Sequence, residues 1–280
     1  MYKYFLSLVI LFTPGYQLAT RQMSCCGKQA NDAFVAFASN PAFVRAHPNP
    51  KPLVYKSAEG QDLNFITDDG KEGHGFLLKT ASPSNKFLLV IHDYFGLGAY
   101  AKTESLKYFH DLGDVNVLAV DLYDRKVTTN RDSAAMLMRL VTPQRAVSIL
   151  KGALKYTGPN AKIGTIGWCF GGGWSLQTAL LGGKNTDACV VFYGMPETDV
   201  SRLKTLHSDV LGIFANRDKW ITPEVVTSFE HNMALAGKNL QVKRYDADHG
   251  FGNPTVPAHD AAAAQDSYEQ AVSYLKNRLL

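Results

Sequence analysis

The sequence lacks a run of the roughly 18–20 apolar residues that a membrane-spanning helix needs. It also has no block of basic residues, no internal repeat and only four cysteines in 280 residues. Each lack excludes something. No segment reads as a membrane span. Nothing favours nucleic acid as a partner, because the net charge of +4 is concentrated in residues 1–28, where Lys3, Arg21 and Lys28 stand without an acid. The nearly neutral remainder fits small-molecule chemistry. The cysteines (Cys25, Cys26, Cys169 and Cys189) form neither a C-x-x-C pair nor a zinc-site spacing, and they are too few for a disulfide scaffold. Cys189, inside an apolar run at 188–193, reads as a buried and inert thiol.

What the chain does have is 46% hydrophobic residues, enough for a full core. Its first apolar run, 5–13, follows Lys3 and precedes Pro14-Gly15. It has the length of a signal-peptide h-region but a poor cleavage site. Two readings stand side by side. Residues 1–22 are an export signal, giving a periplasmic or lipid-anchored protein through Cys25 or Cys26, or translation starts at Met23 and the protein is cytoplasmic. Residues 1–28 are therefore set apart from the fold. Residues 29–51, punctuated by Pro41, Pro48 and Pro50, read as a lead-in with a short helix, and residues 52–280 read as one domain.

Within that domain, strands are expected at 53–56, 74–80, 87–92, 115–121, 163–168, 188–193, 210–215 and 241–245. Helices are expected at 100–113, 131–155, 172–182, 223–237 and 261–279. From Phe87 onward the strands are nearly continuous apolar runs, the pattern of strands buried on both faces of a parallel sheet. Alternating strands and helices predict a doubly wound α/β fold with helices on both faces.

Chemistry concentrates at Gly167-Trp168-Cys169-Phe170-Gly171, at the end of one expected strand and the start of a helix. That is the strand–turn–helix setting of the nucleophile elbow G-x-S-x-G, with cysteine in place of serine. Glycines two residues to either side keep the strained turn free of clashes, and the helix N-terminus favours a thiolate. In the α/β-hydrolase fold the acid and the histidine follow the nucleophile in that order. Asp218 follows the 210–215 strand, and His249 follows the 241–245 strand. The expected roles are Cys169 as nucleophile, His249 as base and Asp218 as orienting acid. The oxyanion hole is expected from the backbone N–H groups of Phe170 and Tyr94. Asp93 reads as a thiol-modulating acid or, equally, as a turn residue. The other histidines, His47, His74, His92, His110, His207, His231 and His259, read mostly as surface or structural residues.

These residues resemble the dienelactone hydrolase family over roughly residues 52–280: the G-W-C-F-G-G elbow at 167–172, His92-Asp93-Tyr94-Phe95-Gly96, Asp121-Leu122-Tyr123, Asp218, and His249-Gly250-Phe251. The resemblance implies a Cys-His-Asp triad, no cofactor or metal, and a small ester or lactone substrate. Two positions depart from the family pattern. Asp93 stands where well-known members carry a glutamate, and Asn253 stands where they carry an arginine that holds a substrate carboxylate. Arg125, Arg131 and Arg139 are alternative sources of positive charge. A monomer is expected. The competing readings are a catalytically silent protein that kept the fold for binding or scaffolding, and a redox thiol protein.

Overall fold

A computed structural model describes residues 34–280; the expectations for residues 1–28 lie outside the described residues. The parallel strands expected from Phe87 onward occupy six adjacent places of an eight-stranded sheet, reaching one of its edges. The strands are β1 (Gln61–Ile66), β2 (Glu72–Leu78), β3 (Lys86–Ile91), β4 (Asn116–Asp121), β5 (Lys162–Trp168), β6 (Thr186–Phe192), β7 (Asp209–Ala215) and β8 (Leu240–Tyr245). Their order is β1-β2-β4-β3-β5-β6-β7-β8. β1 and β2 pair antiparallel, as do β2 and β4, and every other pairing is parallel. All six residues of β4 are buried, whereas edge strand β8 is half exposed.

The helices are α1 (Pro41–Ala46), α2 (Ala99–Leu112), α3 (Arg131–Leu140), α4 (Pro143–Thr157), α5 (Phe170–Gly182), α6 (Val200–Leu203), α7 (Pro223–Leu235) and α8 (Ala261–Leu279). α4 and α5 pack together and on the sheet, as do α2 and α8.

Two expectations are corrected. Residues 53–56 form no strand; Leu53 and Val54 are exposed and outside the ladder. The antiparallel edge is instead β1, a polar segment that turns into β2 through Gly70 at φ 74°. The helix expected over 131–155 is two helices. Val141 is extended (φ −72°, ψ 108°), Thr142 Oγ1 caps Arg145 N–H at 3.2 Å, and Pro143 begins α4. Proline has no N–H to donate and disfavours helical geometry in the residue before it, so the break falls there.

The described part of the lead-in, 34–51, packs against α3 and the segment carrying Trp220. Asn40 Oδ1 accepts from Ala42 N–H at 2.8 Å and caps α1, with Pro41 at its first position. Phe43, fully buried, meets Trp220 edge-on at 5.1 Å between centroids, and Arg139 donates to Ala38 O.

Candidate active site

Parallel register brings the chemistry to one end of the sheet. Ile91 pairs with Gly167, Trp168 with Phe192, and Ala215 with Tyr245. The residues just beyond these strand ends are Asp93 and Tyr94, Cys169, Tyr193, Asp218, and His249. The sheet's order reverses around β3, where β4 lies on one side and β5 on the other. A crevice opens at such a switch point, outside the carboxyl ends of the strands.

Cys169 has φ 56° and ψ −117° and immediately precedes α5. A non-glycine residue held there costs on the order of 1–3 kcal/mol. The surroundings enforce it: Cys169 N–H donates to Phe192 O at 3.0 Å, and its carbonyl accepts from Gly172 N–H at 3.0 Å. The flanking glycines are obligatory. A Cβ on Gly167 would lie 2.1 Å from Gly171 O, and one on Gly171 would lie 2.3 Å from the carbonyl oxygens of Ile91 and His92.

Asp218 and His249 are held in one arrangement. Asp218 Oδ1 accepts from Trp220 N–H (2.8 Å) and Ile221 N–H (3.0 Å), while Oδ2 lies 2.6 Å from His249 Nδ1. Burial opposes charge on His249, but the Asp218 carboxylate and Cys169 outweigh it and raise the pKa well above 6.5. Burial likewise opposes charge on Asp218, and the His249 charge and hydrogen bond bring its pKa below the ordinary carboxylate value. The other ring nitrogen, Nε2, is buried with no hydrogen-bond partner among the described residues.

His47, read from sequence as a bystander, stands at the site. Its Nδ1 lies 2.8 Å from Phe43 O, and a carbonyl only accepts, so Nδ1 carries the proton. The bare Nε2 faces Cys169 Sγ at 3.8 Å. Burial first, then the nearby His249, lower the His47 pKa to about 3 and keep the ring neutral. The His47 and His249 rings meet edge-on at 5.2 Å between centroids. The Asn40-Pro41 start signal marks the helix that carries His47, but no spacing rule links position 47 to 169.

Asp93 sits in the same cavity, yet its recorded bonds go elsewhere: Oδ1 to Phe95 N–H (3.0 Å) and Oδ2 to Asn253 Nδ2 (3.2 Å). Among the described hydrogen bonds none joins Asp93 to the thiol. Burial raises its pKa to about 6 against the lowering effect of those two donors. Tyr94 N–H and Phe170 N–H have no acceptor among the described hydrogen bonds. His92 is a core residue: Nδ1 faces Asp93 O at 2.8 Å, and Nε2 accepts from Leu122 N–H at 3.1 Å. That pair of bonds fixes the loop carrying Asp93 and Tyr94.

The cavity, about 40 Å³, is lined by Ala46, Tyr94, Phe95, Trp168 and Tyr193 beside the residues above. Phe95 faces the cavity, whereas Tyr123 and Phe170 pack on each other at 5.5 Å and Trp220 packs under the lead-in. None of Arg125, Arg131 and Arg139 reaches it. Arg125 bonds His74 and Asn64, and Arg139 bonds Ala38 O.

The dienelactone hydrolase family profile matches residues 74–279. The chain is 28% identical over 206 residues to Protein usf of Aquifex pyrophilus, covering 69% of this chain and 88% of that protein. It is 23% identical over 228 residues to a carboxymethylenebutenolidase of Pseudomonas putida, covering 75% and 94%. Among solved structures it resembles in fold a dienelactone hydrolase-like promiscuous phosphotriesterase from metagenomic libraries, with a TM-score of 0.69, 21% identity, and coverage of 80% of this chain and 100% of that one. The dienelactone hydrolase from Anabaena variabilis is similar at a TM-score of 0.57 and 17% identity, with coverage of 79% and 100%. With the profile spanning most of its length, this chain belongs to the dienelactone hydrolase family.

Proposed function

We propose that the protein hydrolyses a small, uncharged carboxylic ester or lactone through Cys169, His249 and Asp218. The observation that carries the reading is the relay itself. The Asp218 carboxylate lies 2.6 Å from His249 Nδ1, the buried Nε2 has no other partner, and a cysteine at positive φ stands beside it at a helix start.

In this mechanism His249 Nε2 takes the proton of Cys169, and the thiolate attacks the substrate carbonyl. Asp218 keeps the imidazole in the competent tautomer and stabilises its charged form. The N–H groups of Tyr94 and Phe170 receive the oxyanion. As the carbon–oxygen bond breaks, His249 returns the proton to the leaving alkoxide and a thioester remains on Cys169. A water, losing its proton to His249, then attacks the thioester; the acid is released and the thiol is restored.

The cavity's lining argues for the substrate class. It holds no lysine or arginine among the described residues, and Asn253 is occupied: Nδ2 donates to Asp93, and Oδ1 accepts from Thr255. A substrate carboxylate would meet Asp93 there without a compensating cation, whereas an uncharged ester would not. The test compares an uncharged aryl acetate with an anionic dienelactone, using wild type and Cys169→Ala. The expected result is higher kcat/KM for the neutral ester and loss of nearly all turnover in the variant. Equal inactivity of both proteins across both substrates and a panel of lactones would move the reading to a silent protein that kept the fold.

A further inference from the structure

We infer that Cys169, His249 and His47 form a binding site for a thiophilic divalent cation such as Zn²⁺, and that its occupancy masks the nucleophile. The masking half rests on the proposed hydrolase mechanism; the binding half does not. The sulfur and one ring nitrogen from each histidine lie within 4.8 Å of one another. Thiolate and imidazole are the ligands Zn²⁺ prefers, at about 2.3 Å and about 2.0–2.1 Å. In a tetrahedral site those lengths put sulfur and nitrogen about 3.6 Å apart and two nitrogens about 3.4 Å apart. The observed 3.8 Å from Sγ to His47 Nε2 is already close to that value. The widest pair has at most about 1.4 Å to close, which side-chain rotation covers.

Both imidazoles are also braced as metal ligands are. A metal-bound histidine donates its other N–H to a carboxylate or a carbonyl, which fixes the ring and raises its basicity. Here Asp218 holds Nδ1 of His249 at 2.6 Å, and Phe43 O holds Nδ1 of His47 at 2.8 Å. Each ring thus turns Nε2 toward the thiol, and the Nε2 of His249 has no other partner. A triad needs one imidazole. The second serves no step of the hydrolysis above, and it comes from a segment that precedes the family-matched residues 74–279. On binding, the cation forms bonds to Sγ and the two nitrogens. The thiol proton passes to the buffer, and the fourth coordination position faces the cavity, open to water. While the cation is bound, Cys169 cannot attack and His249 cannot accept a proton.

The test uses the full chain with Cys25→Ser and Cys26→Ser, so that the N-terminal thiols contribute nothing. It is stripped with a chelator and titrated with Co²⁺, then with Zn²⁺ in competition. One equivalent of Co²⁺ should produce a thiolate-to-cobalt charge-transfer band that Zn²⁺ abolishes. His47→Ala and His47→Gln should each weaken binding at least about 10-fold, while His231→Ala, at an exposed position, should not. Far-UV circular dichroism establishes that each variant is folded. No saturable one-to-one band, or affinity unchanged in both folded His47 variants, overturns the site. If the band appears in a protein without esterase activity, the hydrolase reading fails and the metal site stands. If the protein is active and binds no cation, the metal site fails and the hydrolase reading stands.

Discussion

Asp218 divides its two oxygens between jobs, and substitution can separate them. In Asp218→Asn the retained carbonyl oxygen still accepts from Trp220 and Ile221, but the amide N–H₂ now faces His249 Nδ1. The ring is driven to the wrong tautomer, and ester turnover should fall about 10³–10⁴-fold with the circular dichroism spectrum unchanged. Stability should follow pH with a definite sign. His249's raised pKa contributes fully below 6.5 and is lost as pH rises through the folded value; Asp218's lowered pKa contributes fully above 3.8 and is lost as pH falls through its folded value. The Tm gap between wild type and Asp218→Asn should therefore be widest between those two pH values and narrow on either side. Asp93 works in the opposite sense. With its pKa raised to about 6 from 3.8, its buried charge lowers stability as pH rises through that interval. The effect is on the order of 3 kcal/mol. Asp93→Ser, which keeps a side-chain acceptor near Phe95 N–H, should lose that slope in denaturation measured from pH 4 to 7; an unchanged slope would count against it. At this scale Cys169, Asp218 and His249 were legible because local signals mark each one: an elbow, and two strand ends in the right order. His47 was not, since only tertiary folding of the lead-in brings it to the sulfur.

The elbow is where strand and helix constrain each other most. Gly171→Ala would force a methyl group against two backbone carbonyls that cannot swing away. A loss of about 1–3 kcal/mol or more is expected, read as a lower denaturation midpoint, along with loss of turnover as β5 and α5 separate. An alanine accommodated without either effect would contradict the packing described. Elements whose residues are buried on both faces were readable to within a residue or two, as β4 and β5 were. The edge was not. β1 (Gln-Asp-Leu-Asn-Phe-Ile) buries only Phe65 well and has no apolar run, while the apolar pair Leu53-Val54 imitated a strand and has no ladder partner. The division between α3 and α4 was present in the sequence as Thr142-Pro143, but an amphipathic pattern continuing across the proline concealed it.

Across the whole molecule, the family-matched residues 74–279 supply β3 to β8, most of β2 and the strand-end site, and the lead-in supplies a cover. Ala46, His47 and Pro48 line the cavity, and Phe43 seats on Trp220. A chain beginning at residue 52 should keep its far-UV spectrum while Trp220 becomes exposed, with red-shifted fluorescence, and Cys169 should react faster with iodoacetamide. A truncated chain with unchanged thiol reactivity would show that the lead-in does not cover the site. The doubly wound architecture was legible because parallel strands announce themselves by composition; the cover was not, because its closure depends on contacts between residues far apart in the chain.

In the proposed mechanism the acyl group passes through Cys169. The most direct measurement is rapid acid quench of wild type turning over a hindered aryl ester, followed by peptide mapping by mass spectrometry. One acyl mass is expected on the peptide containing Cys169, formed with the burst of phenol and absent in Cys169→Ala. A phenol burst with the acyl group on another residue, or equal turnover in Cys169→Ala, would contradict it.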